Sequence, residues 1–285
     1  MKTIIISDIK GKSDSIIPYG LNLAKSLESE VDIVHIIDSR SVHGVPSSYS
    51  DSQTFAPGGK LSYKDTLNRE MKHAEMELDK ILSMEASKLN YPLKINTIIE
   101  EGRIEAKIKS LVKSNNKSLL LVNSVYDDFI FHSKQEILDV TYNIGAVSLL
   151  VPPGKVFVEF KSIYLISDPA PKKLSKIKDE ISFLESQKPI ISSINVVNPK
   201  NYEKEKLKSK ISEGIMKDRF TPFAFEVKIL AGNRYTEVLT DYIKKNNPDL
   251  IMNLLNKKSL LNSLLQKKRY VKLLNETNIP ILLIK

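Results

Sequence analysis

The chain has no cysteine and no tryptophan, and only 10 of its 285 residues are glycine. Without cysteine there is no disulfide, no thiolate nucleophile and no cysteine-ligated metal, although this absence leaves the compartment open. Long hydrophobic runs are missing as well. The longest, such as Leu119-Leu120-Leu121-Val122, fall far below the roughly 18 residues needed to span a bilayer, so no membrane partner is expected. After Met1-Lys2 the chain goes straight into Thr3-Ile4-Ile5-Ile6-Ser7-Asp8, which is strand-length and lacks a small-residue cleavage site. No signal peptide is expected there, and a cytoplasmic location is.

Catalytic patterns are equally scarce. "GKS" at 11–13 resembles the end of a phosphate-binding loop, but the full pattern needs a glycine five positions before Gly11, where Ile6 stands. The four histidines, His35, His43, His73 and His132, have no partner at metal-ligand spacing. No Gly-x-Ser-x-Gly elbow occurs, and His43-Gly44 has no second histidine for nucleotidyl transfer. With no nucleophile, general base or metal set in view, a protein that is not an enzyme is expected.

Arginine is rare where positive charge is concentrated. Residues 1–154 carry a net charge of −2 and residues 155–285 a net of +11, and lysine supplies 22 of the 25 cations in the second part. Lysines dispersed over helices and turns, without interleaved aromatic or arginine contacts, read as solvated faces rather than as a nucleic-acid surface.

What the chain does contain, it contains twice. "EGRIEAKIKSLVKSNNKSLLLVNS" (101–124) parallels "AGNRYTEVLTDYIKKNNPDLIMNL" (231–254). Each follows a β-rich run (95–99 and 225–230) and places apolar residues at helical spacing, Ile104, Ile108, Leu111 and Val112 or Val238, Leu239, Tyr242 and Ile243. Each then reaches Asn-Asn and an apolar strand, the signature of a helix with one buried face, its end and a turn. "KTIIISDIK" (2–10) pairs with "KSIYLISDP" (161–169), "VDIVHIID" (31–38) with "IISSINVVN" (190–198), and "AVSLLVPP" (146–153) with "IPILLIK" (279–285). Each half therefore reads β-α-β-α-β-α-β-α-β, an α/β class with a mainly parallel sheet covered on both faces. The boundary falls at Pro152-Pro153-Gly154, giving domains 1–153 and 154–285.

One stretch has no counterpart. Residues 39–62 are rich in Ser, Gly and Pro and precede a helix expected over 63–90, whereas the second half crosses the same gap with little more than Pro199. So long a loop reads as a lid or as a disordered insertion. In open parallel sheets ligands sit beyond the carboxyl ends of the strands. Asp8 and Asp168, each ending a first strand, stand on that edge, to meet a ribose or base or to satisfy the N–H groups of the next turn.

The order of elements in each half, "LNLAKSLESEVDIVHIID" (21–38) and the closing segment 247–285 resemble the universal stress protein family in its tandem form over nearly the whole chain. The resemblance implies two Rossmann-like domains of the adenine nucleotide alpha hydrolase-like kind, each a five-stranded mainly parallel sheet flanked by helices. It also implies an internal pseudo-dimer in which Val147 to Val151 pairs with 281–285. ATP-binding members carry Gly-x-x-Gly-x9-Gly-Ser/Thr after the fourth strand, where glycine lets backbone N–H groups approach phosphates. On the second half this pattern falls on Asn253, Asn256, Gln266 and Lys267; on the first it falls on Asn123, Tyr126 and a third position near Lys134 to Glu136. No glycine survives in either loop, and Asp127-Asp128 adds like charge beside the first. Lys257, Lys258, Lys267, Lys268 and Arg269 offer charge for an anion, but read first as a solvated helix surface.

The resulting expectation is a non-enzymatic stress-response or regulatory protein without ATP as cofactor, acting through a protein partner or another small ligand. Its eight family positions are Asp8, Asn123, Tyr126, Asp168, Asn253, Asn256, Gln266 and Lys267. The alternative is a nucleotide-binding switch or weak ATPase with a degenerate phosphate loop.

Overall fold

The computed structural model describes residues 1–7, 16–38, 63–115, 117–125, 131, 133–166, 177–254, 272–273 and 275–284. The first half runs β1 (Lys2–Ile6), α1 (Ile16–Ser26), β2 (Glu30–Ile37), α2 (Tyr63–Leu89), β3 (Ile95–Glu101), α3 (Ile104–Lys113), β4 (Ser118–Asn123), α4 (Lys134–Ile144) and β5 (Val147–Val151). The second continues with β6 (Ser162–Leu165), a 3-10 helix (Ser182–Gln187), β7 (Ile190–Val197), α5 (Tyr202–Phe220), β8 (Ala224–Ala231), α6 (Tyr235–Asn246), β9 (Leu250–Leu254) and β10 (Ile281–Ile284). The expected α/β class is the one observed.

Among the described residues ten strands form one sheet in the order β3-β2-β1-β4-β5-β10-β9-β6-β7-β8. Every neighbouring pair is parallel except β5 and β10, which pair antiparallel through Leu150 with Ile281, Leu149 with Leu282 and Ser148 with Leu283. The pairing expected of Val147 to Val151 with the last strand is therefore present.

Side chains alternate across a strand with period two, so nearly continuous apolar strands bury both faces. One core holds Ile5, Ile33, Leu121, Leu149, Leu282, Met252 and Leu165 under α1, α2 and α5. The other holds Ile4, Val34, Leu120, Leu150, Leu283, Ile251 and Tyr164 under α3, α4 and α6. α1 lies close over the sheet because Gly20 has no side chain there; a Cβ would strike Ile5 and Leu121.

The repeated Asn-Asn pairs end α3 and α6 by the chemistry expected of them. Asn115 Nδ2 donates to Leu111 O at 2.8 Å, and Asn246 Nδ2 donates to Tyr242 O at 2.8 Å. Asn247 takes the left-handed conformation, φ 43, and its N–H closes on Ile243 O. In the second half, α-helical residues 177–180 lead into a 3-10 helix at 182–187 before β7, and Pro189 follows its cap Lys188. Proline disfavours a continuing helix there.

The segment after Pro152-Pro153-Gly154 is tied to the first half by aromatic packing and one buried amide. Tyr19 of α1 meets Phe157 edge-on at 5.5 Å between centroids, and Phe157 meets Phe160 at 5.7 Å. Gln187 accepts from Phe160 N at 2.7 Å and donates to Ser26 Oγ at 2.9 Å. Asp249 accepts from the backbone N–H groups of Lys161 and Ser162 at 2.9 and 2.8 Å, fixing the entry to β6.

Gln187→Ala strands the buried Phe160 N–H and opens a small cavity, so it is expected to cost about 2 kcal/mol in equilibrium urea unfolding. A change within the error of the midpoint would show that the joint does not depend on this amide.

Two phenols make the fold sensitive to alkali. Burial, reinforced by the Asp249 carboxylate, raises the Tyr19 pKa well above its ordinary value, and its hydroxyl has no hydrogen-bond partner among the described residues. Burial first, then the stacked Tyr242 and the charge of Glu226, pushes Tyr164 up to about 12. An unfolded chain releases these protons near the ordinary pKa of 10.0 while the folded chain keeps them, so the stability present below pH 10 is lost as pH rises through about 12. Tyr19→Phe should be unchanged or more stable by about 1 kcal/mol at pH 7, because it removes an unpaired buried hydroxyl. It should also lose stability less steeply above pH 10, and an unaltered alkaline slope in a pH series of urea unfolding would refute this.

Candidate functional site

Because β5 and β10 are antiparallel, the carboxyl ends of β1, β2 and β4 open on one edge of the sheet, and those of β6, β7 and β9 open on the opposite edge. Ligand sites beyond strand carboxyl ends would therefore lie at opposite edges. Of the eight expected site positions, Asn123 and Asn253 are described. Asp8, Tyr126, Asp168, Asn256, Gln266 and Lys267 lie outside the described residues, as do loop 39–62, Gly11 to Ser13, Asp127-Asp128 and the cluster from Lys257 to Arg269.

Asn123 is the last residue of β4, and its side-chain oxygen accepts from Val125 N at 3.1 Å. This is an Asx turn, in which a side chain stands in for a backbone turn. The N–H of Ser124 donates to Val151 O at 2.8 Å. Both N–H groups that follow the strand are thus engaged within the chain, in the loop where a glycine motif would turn such donors toward phosphate.

The strand register corrects the equivalence of the two halves. Thr3 pairs with Leu119 and Ile163 with Leu250; Asn123 pairs with Val151 and Leu254 with Ile284. Leu121 and Met252 lie in one core, Leu120 and Ile251 in the other. Asn123 therefore corresponds to Leu254, a buried residue, and Asn253 corresponds to Val122. The offset arises ahead of the strand: α3 begins two residues after Gly102 and α6 three residues after Gly232. Asn253 is 1 % exposed, and neither atom of its amide has a hydrogen-bond partner among the described residues.

Around Asn123 the structure gathers buried polar groups that the residue pattern did not single out. Ser7, Asp38 and Ser124 are buried just past the ends of β1, β2 and β4, and His35 is buried within β2. His35 Nδ1 donates to Ser7 O at 3.1 Å, which places a proton on that nitrogen. The available signal was the break in apolar alternation where each strand ends. His73 is exposed on α2.

On the other edge, a cavity of about 330 Å³ lies between α5 and the strands β7 and β8. Ser193, Asn195, Glu205, Lys208, Ser209 and Tyr235 supply its polar lining, and Glu205 pairs with Lys208 at 2.7 Å. That volume suits a small ligand. A second cavity of about 740 Å³ sits at the amino ends of β1, β4 and β5, bounded by Lys113, Lys117, Asp179 and Phe183. Among the described residues no cluster of three His, Cys, Asp or Glu side chains could hold a metal ion, and no helix is long and apolar enough to cross a membrane.

No protein-family model matches the chain, and no curated protein matches it either. Its fold does match solved structures. A universal stress protein from Archaeoglobus fulgidus DSM 4304 superposes with a TM-score of 0.71 at 12% identity, covering 100% of this chain and 98% of that one. A functionally unknown protein from Pseudomonas aeruginosa PAO1 superposes with a TM-score of 0.55 at 8% identity, covering 100% and 92%. The chain is similar in fold, over its full length, to a universal stress protein.

Asn253→Val installs the residue that the first half carries at this place. It should raise stability by about 1–3 kcal/mol, since an unpaired buried amide carries a desolvation cost of that order. The comparison is thermal and urea unfolding of both forms, and a loss of stability would mean that the amide has a partner in solution.

Proposed function

We propose that the chain is a non-enzymatic stress-response or regulatory protein of the universal stress protein type, which does not take ATP as the glycine-bearing members do. It works through a protein partner or through another small ligand. We read residues 1–153 and 154–285 as its two domains, and the antiparallel joint of β5 with β10 as the internal counterpart of a dimer contact.

The observation that carries the reading is the exit from β4. A triphosphate needs unengaged backbone N–H groups and room for its oxygens. At this exit the N–H of Val125 is held by Asn123 and that of Ser124 by Val151. The equivalent of Asn123 in the second half is the buried Leu254, whose side chain fills space rather than leaving it. The polar cavity under α5 gives a smaller ligand a place on the second edge, and the likeness in fold supports the general type.

The test is a thermal unfolding series with excess Mg-ATP, paired with native mass spectrometry of the freshly purified protein. A ligand at 100 times its dissociation constant adds about 2.7 kcal/mol to stability, a shift of several degrees for a chain of this size. No shift and no nucleotide mass are expected. A saturable shift with an ATP adduct would overturn the reading in favour of the nucleotide-binding switch, and weaker binding by Lys267→Ala would then locate the phosphates.

A further inference from the structure

Helix α5 presents large apolar side chains to solvent. Leu207, Ile211 and Ile215 are 66, 67 and 53% exposed, and their four-residue spacing aligns them along one face. Glu205, Ser209 and Met216 line the cavity on the opposite face, and Met216 and Phe220 enter the core, so burial among the described residues does not account for the outer stripe. Gly214 lies beside Ile211 and Ile215, and a Cβ there would meet nothing within 4 Å. Inside a helix, glycine is less favourable than alanine. Nothing among the described residues requires it. A bare backbone at that point permits close approach of a second helix.

We infer that the Leu207, Ile211 and Ile215 face of α5 packs antiparallel on α5 of a second copy of this chain. Centring the two-fold on Ile211 sets Ile211 against its own copy and Leu207 against Ile215, and it sets Lys204 against Asp218. Lys204 and Asp218 are both exposed, so the stripe is flanked by opposite charges that meet on symmetry alone. The contact is a single helix pair and therefore small, so it forms a weak dimer that appears as concentration rises.

The absence of cysteine makes the geometry directly testable in the full chain. Ile211→Cys should give a covalent homodimer under mild oxidation, because residue 211 meets its own copy within disulfide reach. Leu207→Cys and Ile215→Cys should each cross-link poorly alone but well when mixed. In sedimentation velocity, wild type should dimerise with concentration, and Ile211→Asp should raise the dissociation constant at least tenfold with an unchanged circular dichroism spectrum. Lys204→Glu and Asp218→Lys should each weaken the dimer, and the double exchange should restore it. Gly214→Ala should raise the midpoint of thermal unfolding at low concentration while weakening association. A chain that remains monomeric at all concentrations, or a dimer indifferent to Ile211→Asp, overturns the inference. So does binding to phosphatidylglycerol vesicles that Ile211→Asp abolishes in a chain that does not dimerise.

Discussion

The antiparallel step between β5 and β10 is the contact on which the rest of the sheet depends. Left apart, each half would expose one apolar strand edge, Val147 to Val151 or Ile281 to Ile284, with unpaired N–H and C=O groups that invite aggregation. Joined, they leave β3 and β8 as the outer edges. β3 carries Glu100, which pairs with Lys107, and β8 carries Glu226, which pairs with Lys228. Charges of this kind discourage further strand addition. Because the joint adds buried strands on both sides, the two cores pass through it: Leu149 and Leu282 share one, Leu150 and Leu283 the other. Cutting the chain at the boundary would expose both cores at once.

Direction follows from the same step. With all other neighbours parallel, one antiparallel pair reverses the second half relative to the first, so β6 starts at the edge where β5 ends and the connecting segment runs along that edge past β10 and β9. Apolar contact of Tyr19, Phe157 and Phe160 is non-directional. The bonds made by Gln187 and Asp249 are directional, and they specify where the connecting backbone lies. Buried polar groups placed in this way fix a unique arrangement at a modest net gain, since each replaces bonds to water.

Much of this architecture was legible because the relevant signals are periodic. Four- to eight-residue apolar runs became strands, and the spacing of Ile104 with Ile108 or Leu239 with Ile243 became helices buried on one face. The loop positions were less legible. Aligning Asn123 with Asn253 by letter is natural, but a helix that starts one residue later after Gly232 than after Gly102 moves the following strand by one. In a structure of period two, a shift of one residue exchanges the faces of the sheet. That is why Asn253 is a buried amide in the place of Val122 rather than a loop residue in the place of Asn123. Gln187 was invisible for a different reason. A lone glutamine in a polar stretch shows nothing until Ser26 and Phe160 are brought to it.

The two edges of the sheet have diverged because the fold allows them to. The first edge gathers Ser7, His35, Asp38 and Ser124 and turns its chain with Asn123. The second buries Leu254 at the corresponding corner and keeps its polar surface in the cavity beneath α5. Sites at opposite edges share no side chain, so a change at one places no constraint on the other. Influence between them has two routes, the β5–β10 joint, whose residues are packed on both faces, and the contacts of α1 with Phe157 and Gln187. The outer face of α5 is linked to the second edge far more directly. Glu205, Lys208 and Ser209 reach into the cavity from the same helix whose far side carries Leu207 and Ile211. A ligand that shifts α5 acts on that outer face within one helix diameter, without involving the joint at all.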